Sequence, residues 1–169
     1  MDFPKRKSPR LAQYDYSSPG AYFITICAKD KSHIFGKISV GQGLAPAVMH
    51  LSKYGQIAVE QTAELEQRYA TVTVDKYVVM PNHIHLLLTF SPPETAGASP
   101  CPTLSDVICT FKSLTARKCR QAGFEGSLFQ FSFHDHIIRN DADYRRIWAY
   151  IDTNPGKWVE DCYYAKEGL

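Results

Sequence analysis

The chain has 169 residues, of which 44% are hydrophobic and 21% charged, with a formal net charge of +2. That length accommodates one well-buried domain rather than two, here spanning 1–169, and the balance excludes a wholly disordered chain. No apolar run reaches the roughly 18 residues of a membrane span. The basic opening MDFPKRKSPR also lacks the apolar stretch of a secretory signal, so a cytoplasmic protein with no membrane partner is expected.

Five cysteines without a CxxC pair argue for reduced thiols over a zinc ribbon or a disulfide framework. The charge is unevenly spread. Lys5, Arg6, Lys7 and Arg10 make residues 1–18 a basic arm, Arg139, Arg145 and Arg146 load a late stretch, and Glu160, Asp161 and Glu167 gather at the far end. Such local basic surfaces suit phosphates even when the total charge is small.

In chain order, residues 21–29 (AYFITICAK) are aromatic and β-branched after Pro19-Gly20, which predicts a strand. Residues 34–39 and 47–51 flank the turn-forming GQGLAP and predict a hairpin. Tyr54, Ile57, Ala58, Thr62 and Leu65 then share one face of a helix over 52–68, with Ser52 as its N-cap. Two β-prone runs, 71–79 and 83–90, are broken by Met80-Pro81-Asn82 and predict neighbouring strands joined by a tight turn.

Residues 91–103 carry four prolines and predict a flexible loop. A second helix follows from Leu104 to near Gly123, with Lys112, Arg117 and Arg120 off its apolar stripe. Residues 128–139 predict another strand, and Asn140 or Asp141 caps a third helix carrying Tyr144, Ile147, Trp148 and Ile151 until Pro155-Gly156 stops it. This order is met most simply by an α+β, ferredoxin-like fold: an antiparallel four-stranded sheet with two helices on one face, plus a C-terminal helix.

Within this plan His83-Ile84-His85 opens a strand. Side chains alternate along a strand, so both imidazoles point to one face and Ile84 to the other. Burying two such groups without partners is costly, and a divalent cation is a natural partner for two neutral imidazoles. A cation with open positions could polarise a phosphodiester. On the last helix Tyr150 and Asn154 lie one turn apart, with Asp143 and Arg146 on the same polar stripe, away from the packing face. A phenol there could attack phosphorus if a nearby cation or base activates it, and Asn154 could supply a third metal ligand. Because Asn154 precedes a proline, it is expected to leave helical geometry.

Taken together, YVVMPNHIHLLL resembles the HUH motif of the single-tyrosine (IS200-like) transposases. FSFHDHIIRNDADYRRIWAYIDTNP resembles the region containing their nucleophilic tyrosine, and PKRKSPRLAQYDYSSPGAYFITICAKD resembles the start of the REP-associated tyrosine transposases. The likeness runs from about residue 5 to 158, and two motifs in the right order are more specific than either alone. It implies His83 and His85 as metal ligands, Tyr150 as nucleophile, Asn154 as third ligand, and Mg2+ or Mn2+ as cofactor. The implied reaction is cleavage and transfer of single-stranded DNA near hairpins through a 5′-phosphotyrosine, leaving a free 3′ hydroxyl.

His136, Arg139 and Asn140 match the family's HxIRN stretch. With Arg10, Lys112 and Arg146 they form the set of candidate DNA contacts. A further basic C-terminal segment is frequent in the family, whereas this chain ends soon after Trp158, so recognition through such a segment is not expected. Related enzymes occur as homodimers and as monomers. Two other readings compete: a catalytically silent hairpin-DNA-binding module, and a histidine-triad-like nucleotide hydrolase, in which a third histidine would continue the alternation where this chain has Leu87.

Overall fold

The computed structural model describes residues 13–39, 47–93 and 101–164. Arg10, the rest of the basic arm up to residue 12, the GQGLAP turn and most of the proline-rich loop lie outside the described residues. Strands β1 (Gly20–Cys27), β4 (Val72–Val79), β5 (His83–Phe90) and β6 (His134–Ile138) form one antiparallel sheet in the order β4-β5-β1-β6. The hairpin expected near residues 34–51 exists as β2 (Gly36–Ser39) and β3 (Val48–Leu51), a separate two-stranded sheet. The architecture is thus the anticipated ferredoxin-like one, α+β with an antiparallel four-stranded core.

Helices α1 (Lys53–Arg68) and α2 (Leu104–Gln121) cover one face of the sheet. Tyr22, Ile24 and Ile26 of β1 and Ile84, Leu86 and Leu88 of β5 share a buried cluster with Ala58, Leu65, Val107, Ile108 and Phe111 from the two helices. Ser52 caps α1 by accepting from the backbone N–H groups of Tyr54 and Gly55, as its sequence position foretold. Gly55 has a packing reason: a Cβ there would collide with the carbonyl oxygen of Phe35. Thr103 and Asp106 form a reciprocal capping box at the start of α2.

Helix α3 (Asp141–Thr153) packs on the opposite face, where Ile147 and Ile151 meet Leu87 in a second, smaller cluster edged by Phe23, Val78 and Ile138. The central strand β5 is therefore covered on both sides. This explains why its sequence is a continuous apolar run instead of an alternating one.

Two expectations need correction. The strand predicted over 128–139 pairs with β1 only at His134–Ile138; upstream, Phe129 makes a single bridge to Ala28, and Gln130 N donates to the Cys27 carbonyl. Pro155-Gly156 stops α3 as expected, since the helix ends at Thr153, and a separate short 3-10 turn follows over Pro155–Glu160. Asn154 keeps right-handed helical angles (φ −58°, ψ −44°) despite the following proline. The pre-proline clash disfavours that geometry without forbidding it, and here a buried side chain held by a hydrogen bond fixes the residue.

Candidate metal and tyrosine site

The turn after β4 closes through Met80 N donating to the His83 carbonyl, and β5 starts at once with the two histidines. By strand alternation His83, His85 and Leu87 face α3 while Ile84, Leu86 and Leu88 face α1 and α2. Both imidazoles are fully buried, with their Nε2 atoms 3.0 Å apart. Leu87, also fully buried, continues the same row into the core under α3. A third catalytic group has no place there, which removes the basis of the histidine-triad reading.

The outer ring nitrogens are tied down. Asn82 donates through Nδ2 to the carbonyls of Lys31 and Tyr163 (3.2 and 2.9 Å), so its Oδ1 is left to accept from His83 Nδ1 at 2.8 Å. That fixes the His83 proton on Nδ1 and leaves a lone pair on Nε2. His85 Nε2 faces His83 Nε2 across the 3.0 Å gap, and the Thr25 hydroxyl pairs with His85 Nδ1 at 2.9 Å. Thr25 can either donate or accept, so it suits both tautomers of His85. Burial lowers the pKa of both histidines to about 3, helped by the Lys31 charge at His83 and by the neighbouring imidazole at His85. Both rings are therefore neutral near pH 7, the protonation state a metal needs.

Tyr150 reaches this pair from α3. Asn140 caps the helix by accepting from Asp143 N, and Ile147 and Ile151 anchor it to Leu87. The Tyr150 hydroxyl lies 3.4 Å from His85 Nε2 and donates to Asp161 Oδ2 at 3.3 Å. Its ring stands edge-on to Phe23, with centroids 5.8 Å apart. Burial, and next the Asp161 carboxylate, push the phenol's pKa upward. As folded, without added positive charge, this tyrosine is a neutral alcohol.

Asn154, one turn further, is 2% exposed; its Nδ2 donates to Asp161 Oδ2 at 2.8 Å and its Oδ1 is buried without a partner. Asp161 is the residue that sequence reasoning missed. It looked like one of several acids at the far end, and only the 3-10 turn brings it back beneath α3. The donor atoms of His83, His85 and Asp161 all lie within 4.8 Å of one another. Two imidazole nitrogens and a carboxylate form a donor set that fits a divalent cation of the Mg2+ or Mn2+ kind.

The other candidate residues divide. Lys112 turns inward, with its Nζ donating to the carbonyls of Gln130 and Phe131 (2.7 and 2.8 Å), so it ties α2 to the approach of β6. Asn140 serves as a helix cap. His136 and Arg146 converge on opposite oxygens of Asp143, at 2.7 and 2.6 Å, and Arg139 is exposed. Arg146 also lines a cleft of about 490 Å³ beside Tyr150, together with Lys157, a cation that sequence reasoning did not single out.

No protein-family model matches the chain. An uncharacterised protein of Haemophilus influenzae is 30% identical over 173 residues, covering 94% of this chain and 93% of that protein. Among solved structures, a REP-associated tyrosine transposase bound to a REP hairpin superposes with a TM-score of 0.60 at 19% identity, over 92% of this chain and 74% of that one. A candidate transposase from Deinococcus radiodurans R1 superposes with a TM-score of 0.51 at 16% identity, over 85% and 95%. The chain thus belongs to the family of the Haemophilus influenzae protein and is built on the fold of a REP-associated tyrosine transposase.

Proposed function

We propose that this protein is a metal-dependent tyrosine transposase that nicks and joins single-stranded DNA, with Tyr150 as nucleophile and His83 and His85 as metal ligands. The observation that carries the reading is the 3.4 Å approach of the Tyr150 hydroxyl to His85 Nε2, delivered within one chain by two elements far apart in sequence. A Mg2+ or Mn2+ ion held by the two imidazoles would supply positive charge to a nonbridging oxygen of the scissile phosphate.

The remaining chemistry falls to the chain's own groups. The Tyr150 oxygen attacks phosphorus, the bond from phosphorus to the 3′ oxygen breaks, and that oxygen leaves as a 3′ hydroxyl after taking up a proton. The carboxylate of Asp161, already accepting from the phenol, is placed to receive its proton. The 5′-phosphotyrosine retains the phosphodiester's energy, so a later 3′ hydroxyl can reverse the step and join strands. Arg146 and Lys157, lining the cleft beside Tyr150, offer charge to flanking phosphates. The REP hairpin bound by the structural relative makes hairpin DNA with a single-stranded flank the proposed substrate.

The test is incubation of the purified protein with end-labelled hairpin oligonucleotides and Mn2+. A covalent adduct between the protein and the 5′ phosphate of the downstream fragment, absent in Tyr150→Phe and in EDTA, is the expected result. A mobility shift with no adduct under any metal would instead favour the silent DNA-binding module.

A further inference from the structure

We propose that Asp161 is the anionic third ligand of the cation held by His83 and His85, and that Asn154 is a positioning residue that holds this carboxylate. The inference rests on the metal reading above and sharpens it. Asp161 Oδ2 accepts from Asn154 Nδ2 at 2.8 Å and from the Tyr150 hydroxyl at 3.3 Å, while Oδ1 accepts from Tyr163 N at 2.7 Å. A carboxylate offers about four lone-pair sites, so these bonds leave capacity for a metal. They also fix the carboxylate where its oxygen and the two imidazole nitrogens lie within 4.8 Å of one another.

Charge separates the two candidate oxygens. The imidazoles are neutral and fully buried, so nothing in the pair offsets a dication removed from water. Lys31 adds a like charge near the site, its Nζ 6.0 Å from the Tyr163 ring, which lies tilted against His83. A carboxylate supplies the missing negative charge, whereas an amide oxygen supplies only a dipole. Asn154 is also oriented by Asp161: turning its carbonyl toward the carboxylate would set two acceptors against each other, so its N–H must face Asp161. The group that grips the cation then also receives the phenol's hydrogen bond, coupling metal binding to alignment of the nucleophile.

The experiment is Mn2+ titration of the full, metal-stripped chain by calorimetry and electron paramagnetic resonance, with thermal unfolding in EDTA as the fold control. Asp161→Asn is expected to weaken Mn2+ binding by more than about 100-fold, beyond the roughly 10–100-fold span of residues that only orient a ligand, and Asn154→Ala to fall within that span. Asp161→Glu, which keeps the charge, is expected to bind more tightly than Asp161→Asn. If the His83→Ala/His85→Ala pair leaves Mn2+ affinity unchanged, the metal reading itself fails. If that pair abolishes binding while Asp161→Asn stays within about threefold of the unaltered chain, or Asn154→Ala costs more than Asp161→Asn, this inference alone is overturned. Should Asp161→Asn not fold, Asp161→Glu decides: a longer arm must change the Mn2+ spectrum, and an unchanged spectrum and affinity would overturn the assignment.

Discussion

The hydroxyl of Tyr150 stands 3.4 Å from Nε2 of His85, although 65 positions separate the two residues along the chain. The contact joins a helix on one face of the sheet to the central strand beneath it. Tyr150→Phe keeps the ring that packs on Phe23 and removes only the oxygen. Covalent adduct formation is expected to disappear, while unfolding free energy changes by less than about 1 kcal/mol. Denaturing gels and urea melts on the same preparations check both halves.

Thr25 holds the other side of His85 through its hydroxyl, 2.9 Å from Nδ1. Thr25→Val preserves shape and deletes the partner of that nitrogen. Metal affinity is expected to drop about 10–100-fold, the usual cost of losing a group that orients a ligating histidine. Thr25→Ser should retain most of it. Equal Mn2+ affinities for the valine and serine variants would remove Thr25 from this role.

Burial holds the pKa of His83 and His85 at about 3, against 6.5 in the unfolded chain. Between those values the unfolded chain binds more protons than the folded one. Metal-free stability is therefore undiminished above pH 6.5 and declines as pH falls through the window toward 3. The slope approaches about 1.4 kcal/mol per pH unit for each histidine that titrates independently. Urea midpoints of EDTA-treated protein at pH 7 and pH 5 should diverge, and the His83→Gln/His85→Gln variant should show a flatter dependence. Parallel curves for the two proteins would rule out this origin of acid sensitivity.

Leu87 touches no reacting group, yet it seats α3 through Ile147 and Ile151. Leu87→Ala is expected to cost about 2–5 kcal/mol of stability. It should also loosen the registration of Tyr150 over the histidines, so nicking falls even at temperatures where the variant remains folded. Melting curves paired with single-turnover adduct rates would detect a variant that loses stability without losing rate.

Two residues with similar sequence credentials as DNA contacts should behave differently. Arg146→Ala is expected to lower the magnitude of the salt slope of single-strand binding by about 0.7, the share of one phosphate contact. Asn140→Ala should cost about 1 kcal/mol of stability through the lost cap of α3 and leave that slope unchanged. Affinity measured across a salt series separates them.

Much of this fold was legible in the sequence because its signals are local. Ser52, the Met80-Pro81-Asn82 turn and Asn140 act on backbone groups within a few residues, so element starts at 53, 83 and 141 could be read from caps and turns. The histidine pair was equally legible, since strand alternation alone places His83 and His85 on one face. Helix periodicity likewise put Tyr150 off the packing stripe. What lay beyond such reasoning depends on how layers meet. Which sheet face α3 covers follows from Leu87, Ile147 and Ile151 burying one another, a contact between β5 and α3 that no local spacing encodes. The inward turn of Lys112 and the return of Asp161 to the histidines have the same character. A side chain's chemistry is written in its type, but its partner is chosen by the packing of distant segments, and only the tertiary structure brings Asp161, Asn154 and Tyr150 to the pair that the sequence had already aligned.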